Sequence, residues 1–110
     1  MAEVLQDFLK QVRGVAAKRI LFLPHALNQM NAPERMISTQ EVRDVIFQGV
    51  VVEDYPTDTR GHSCLILGRG TRHRPIHVVC TPKSDYLAII TAYLPSPEQW
   101  RPDWQTRKEK

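Results

Sequence analysis

Two cysteines are all that this chain of 110 residues contains, and neither stands in the paired CxxC spacing that marks a structural zinc site. Both Cys64 and Cys80 lie in apolar, strand-like runs, which suits buried thiols in a reducing cytosol better than a disulfide framework. Long apolar runs are missing too, and nothing approaches the length that crosses a bilayer. The opening stretch, MAEVLQDFLKQVRG, mixes acids and bases and has no secretory pattern, so a soluble cytoplasmic protein is expected, away from membranes. No Gly-rich phosphate loop, GxSxG, HExxH or twin-carboxylate motif occurs. None of the standard patterns therefore names an enzyme class, a metal or a cofactor, and none of the latter is expected. Internal repeats and low-complexity tracts are absent as well.

What is present is ordinary for a globular domain: 42% apolar residues, 25% charged residues and a net charge of +3. That length supports one domain over residues 1–110 with a single two-layer core, and residues 101–110 read as a frayed tail. The mild basic surplus favours an anionic partner, nucleic acid among them.

The order of elements follows from hydrophobic spacing. Val4, Leu5, Phe8, Leu9 and Val12 recur every three or four residues, predicting a helix over 3–13 that ends near Gly14. RILFLP is a short apolar run stopped by Pro24, either a small strand or an extended lead-in. HALNQMN predicts one or two helical turns before Pro33. Ser38 and Glu41 form a capping-box pattern ahead of Val42, Val45 and Ile46, which predicts a helix over 39–48 with a left-handed stop at Gly49. After it come VVVEDY, SCLILG, IHVVCT and YLAIITAYL, separated by the turn-forming stretches PTDTRG, RGTRHRP and PKSD. Connections that short leave no room for crossover helices. The expected fold is α+β, with N-terminal helices on one face of a four-stranded antiparallel sheet. The segment PSPEQWRPDWQTRKEK is expected to dock through Trp100 and fray after Trp104.

Three groupings could carry chemistry. Arg69, Arg72, His73 and Arg74 crowd one inter-strand loop, where guanidinium groups could engage phosphates; a solvated hairpin tip is the plainer reading. His62-x-Cys64 and His77-x-x-Cys80 contain zinc donors, but alternation puts His77 and Cys80 on opposite faces of their strand. His77 and Tyr93 suit acid–base chemistry on a phosphodiester, provided they meet. If PKSD is a four-residue loop pairing Thr81 with Tyr86, His77 shares a face with Ala88 and Ile90 while Thr91 and Tyr93 point away. A slip of one residue or a bulge reverses this.

HALNQM followed by ERMISTQEVRDVIFQGVVVEDYP, then CLILG, IHVVC and IITAYLPSPEQW, resembles a family of small uncharacterised bacterial proteins catalogued as a domain of unknown function. The resemblance spans about residues 20–100 and rests on several separated motifs in the expected order. That family in turn is similar to the RelE/ParE-like toxin fold, within a wider group of small RNases. The resemblance implies functional weight on His25, Arg35, His77, Thr91 and Tyr93. It further implies RNA or the ribosome as target, metal-independent RNA cleavage, and a small antitoxin-like protein as partner; a non-catalytic protein-interaction module is the alternative. Two features depart from the family pattern: Gln29 stands where Arg is frequent, and MNAPER is longer than the usual spacing before the Arg.

Overall fold

The computed structural model describes residues 2–109. A first helix, α1 (Ala2–Lys18), leads into a short strand β1 (Ile20–Phe22), then α2 (Pro24–Met30) and α3 (Thr39–Gln48). Four further strands follow: β2 (Val50–Tyr55), β3 (Ser63–Arg69), β4 (Pro75–Pro82) and β5 (Leu87–Tyr93), with a tight turn (Thr71–His73) between β3 and β4.

α1 continues through Gly14 rather than ending there. Phe8, Leu9, Val12, Val15 and Ala16 are all buried, so the apolar stripe carries on past the glycine. Their packing outweighs the cost of about 1 kcal/mol that glycine adds inside a helix. α2 begins with Pro24, whose fixed φ suits a first helical position. The capping box of α3 is present in full: Ser38 Oγ accepts from the Glu41 N–H at 3.0 Å, and the Ser38 N–H donates to Glu41 Oε1 at 3.0 Å. Val42, Val45 and Ile46 then face the core with no exposed surface, contributing about 1.5–3 kcal/mol each. Gly49 is extended, at φ −82° and ψ −178°, not left-handed. Its need for glycine is space, since a Cβ there would lie 2.6 Å from the Val45 carbonyl oxygen.

The sheet has five strands, in the order β1-β5-β4-β3-β2, and is mixed. The expectation of four antiparallel strands is corrected by β1, which pairs parallel to β5, Leu21 opposite Ala88. Short connections constrain only neighbours in sequence. Most of the chain separates β1 from β5, so no tight turn dictates an antiparallel pairing, and β1 covers an edge that β5 would otherwise expose.

Alternation along the strands gives the sheet two unlike faces. Cys64, Ile66, Ile76, Val78, Cys80, Ile89 and Ala92 pack under the helices in the main core. Cys64 and Cys80 are free thiols directly opposite one another there, and the Cys64 neighbour together with burial pushes the Cys80 thiol up. On the helix-free face Leu65, Val79 and Ile90 form a second cluster around Trp100, which is 2% exposed.

The stretch expected to fray after Trp104 carries hydrogen bonds instead. The Arg101 N–H donates to the Thr106 carbonyl at 2.8 Å and the Lys108 N–H to the Gln99 carbonyl at 2.9 Å, closing residues 99–108 into a loop laid over this second face.

Candidate functional site

The hairpin joining β4 and β5 places the site. Its loop is Lys83–Tyr86, closed by the Lys83 N–H on the Tyr86 carbonyl at 2.8 Å, so Thr81 pairs with Ala88 and not with Tyr86. Between Val79 and Cys80 the register then shifts, because β5 carries one residue more than β4 at Ile90. This bulge reverses the faces of everything beyond it. Thr91 comes opposite Val79, and Tyr93 opposite His77, on the face away from the helices.

There His77 is fully buried and both ring nitrogens are engaged. Nε2 lies 2.7 Å from the Trp104 carbonyl oxygen, which can only accept, so Nε2 carries the hydrogen. Nδ1 is then the acceptor for the Tyr93 hydroxyl at 3.2 Å. Trp100 meets the imidazole edge-on, with ring centroids 4.5 Å apart. Burial lowers the His77 pKa, partly offset by the Trp104 carbonyl, and keeps the ring neutral; burial likewise raises the Tyr93 phenol.

Beside this pair stands a charged group that sequence reasoning missed. Arg107 forks onto Glu53, Nε to Oε2 at 2.7 Å and Nη2 to Oε1 at 2.9 Å, while its guanidinium lies over the Trp100 ring at 4.6 Å. Tyr55 donates its hydroxyl to the same carboxylate. Hydrogen bonding from Arg107 lowers the Glu53 pKa against the opposing effect of burial, whereas burial and Glu53 raise Tyr55 to about 12. The charges of Glu53 and Arg107 both reach His77, with opposite sign. Glu53 and Tyr55 were legible in VVVEDY as residues two apart on one strand face. Arg107 carried no local signal.

The other residues singled out from sequence lie elsewhere. His25 is exposed in the first turn of α2 and makes no side-chain hydrogen bond or ion pair among the described residues. Arg35 is partly exposed and sits 3.6 Å from Glu34. Arg69, the last residue of β3, and Arg72, in the β3–β4 connection, are both exposed. Arg74 is held inward: Nη2 donates to Glu41 Oε1 at 2.9 Å, and Nη1 donates to the Arg35 carbonyl at 2.7 Å. Glu41 also takes the Thr71 N–H at 2.7 Å. Burial opposes the charge on Glu41, but these hydrogen bonds bring its pKa down to about 2. The connection is therefore rigidly tied to the start of α3. It holds Arg72 and His73 in the left-handed region, at φ 60° and 63°, which costs roughly 1 kcal/mol or more each for non-glycine residues. Among the described residues no three His, Cys, Asp or Glu side chains converge as a metal site.

Fold and cluster together define a small α+β domain with acid–base side chains gathered on the helix-free face of its sheet. Residues 22–94 match a protein family described as Domain of unknown function (DUF4258), and the chain belongs to that family. No curated protein and no solved structure matches the chain. The matched span includes Glu53, Tyr55, His77, Thr91 and Tyr93 and stops before Trp100, Trp104 and Arg107. No helix among the described residues is long and apolar enough to cross a membrane.

Proposed function

We propose that this chain is a cytoplasmic, RelE-like RNA-binding domain that cleaves RNA without a metal ion. The observation that carries the reading is the pairing of His77 with Tyr93 across a bulged hairpin, beside Glu53, on a face free of helices. With the Trp104 carbonyl displaced and the hydrogen on Nδ1, Nε2 of neutral His77 can accept the proton of a ribose 2′-OH as that oxygen attacks phosphorus. Tyr93 returns a proton to the departing 5′-oxygen and is itself reprotonated by His77 through their hydrogen bond. The P–O5′ bond breaks, leaving a 2′,3′-cyclic phosphate and a 5′-hydroxyl. Thr91, on the same face, lies within the substrate path. The RNA backbone is held by Arg69 and Arg72, exposed on a rigid loop, and by Arg35, whose carbonyl is clamped to that loop by Arg74. A small neutralising protein is the partner such a toxin calls for.

The purified full chain, and its Arg107→Ala variant, are incubated in EDTA with single-stranded RNA and with translating ribosomes. Cleavage to a cyclic phosphate is expected, falling roughly a hundredfold or more in His77→Gln and Tyr93→Phe. His25→Gln, at an exposed position in the first turn of α2, serves as the comparison. Absence of cleavage by both parents defeats the reading. A non-catalytic interaction module then takes its place, and one observation favours it: His77 is fully buried with both nitrogens satisfied, as a structural histidine is.

A further inference from the structure

The loop of residues 99–108 is bonded to itself, and among the described residues no backbone–backbone hydrogen bond joins it to the sheet it covers. What fastens it are side chains and one carbonyl. Trp100 is seated edge-on against His77, the Trp104 carbonyl takes the His77 Nε2–H, and Arg107 forks onto Glu53. Trp104 has φ 59°, a left-handed backbone that a non-glycine residue holds only while its surroundings impose it. The strained residue is thus the one whose carbonyl closes off the histidine. All three fastening residues also fall beyond residue 94, where the family match ends, although the residues they cover lie within it.

We infer that residues 95–109 are an autoinhibitory strap: they occupy the His77–Tyr93 site in this conformation and swing away as a unit to admit a substrate. A segment fastened by side chains and one carbonyl can open without breaking ladder hydrogen bonds of the sheet, at the cost of uncovering Leu65, Val79 and Ile90 beneath Trp100. The Glu53–Arg107 fork is its latch. Gln105 of the strap borders the same surface cleft, about 530 Å³, as Arg69 and His73. A polyanion bound at the basic loop therefore lies against the strap it has to displace. The inference takes its consequence for activity from the RNA-cleaving reading, but closure and opening are measured without it.

The full chain and its Arg107→Ala variant are compared by residue-resolved hydrogen exchange and by modification of His77 with diethylpyrocarbonate. Losing a bidentate bond to a carboxylate is expected to speed exchange at the Arg101, Trp104 and Lys108 amides about tenfold or more. Amides in the paired stretches of β3 and β4 keep the wild-type rate, and His77 becomes modifiable in step with the strap. Exchange of the strap only together with the β3 and β4 amides, in both proteins, overturns the strap. Should Arg107→Ala fail to fold, Glu53→Gln releases the latch from the other side and is read the same way. Strap opening without any cleavage of RNA supports the strap and defeats the RNase reading, so the two failures are distinct.

Discussion

His77 and Tyr93 face one another across β4 and β5 only because β5 bulges at Ile90. Without the extra residue the register set at Thr81 and Ala88 would bring Ala92 opposite His77, and the phenol would point into the helix-covered face. One unpaired residue thus decides whether an acid–base pair exists. The bulge also leaves Ile90 on the helix-free side, where it packs with Leu65, Val79 and Trp100.

The buried imidazole makes stability depend on pH near neutrality. Burial lowers the folded-state pKa of His77 below its ordinary value of 6.5, so the unfolded chain takes up a proton before the folded one. Stability from this group is complete above about 6.5 and declines as pH falls from there toward the lowered folded value. Denaturant melts between pH 8 and 5 should show the decline, and His77→Gln should flatten it. An equal slope in both proteins would remove His77 as the cause.

A second window lies at lower pH and belongs to Glu41. Its folded pKa of about 2 stands below the ordinary 4.5, so its contribution is full above about 4.5 and is lost as pH falls through about 2. The displacement corresponds to about 3 kcal/mol. Glu41→Gln should therefore destabilise the fold by roughly that amount at pH 7 and much less at pH 2, measured by urea titration. Equal losses at both pH values would show that shape, not charge, holds the β3–β4 connection to α3.

The basic loop predicts a division of labour among three arginines. RNA binding should weaken steeply with added salt, and Arg69→Ala with Arg72→Ala should reduce both the affinity and the salt slope by about one for each lost phosphate contact. Arg74→Ala should instead lower the melting temperature, because it leaves Glu41 with fewer partners and frees the Arg35 and Met36 carbonyls. Filter binding from 50 to 300 mM salt, beside thermal melts, separates the two effects. Salt-insensitive binding would end the role of Arg69 and Arg72.

Much of this protein was legible in its residues because the rules concerned act over a few positions. Ser38 and Glu41 cap a helix whose apolar spacing specifies its buried side, and the β-branched runs after Gly49 are the four strands they suggest. Helices on one face of a sheet followed directly. The acid–base partners His77 and Tyr93 were also visible as residue types, but not as neighbours. Tertiary structure decided the rest. It added β1 in parallel at the edge, carried α1 past Gly14 where core packing continued, and turned Arg74 inward to a carboxylate 33 residues away. It also joined Arg107 to Glu53 across 54 residues, and with them set the Trp100 ring and the Trp104 carbonyl against the histidine. Contacts at such separations have no periodicity to betray them. They arise when two sheet faces must both be covered, and a bulge or an edge settles which side chains arrive there.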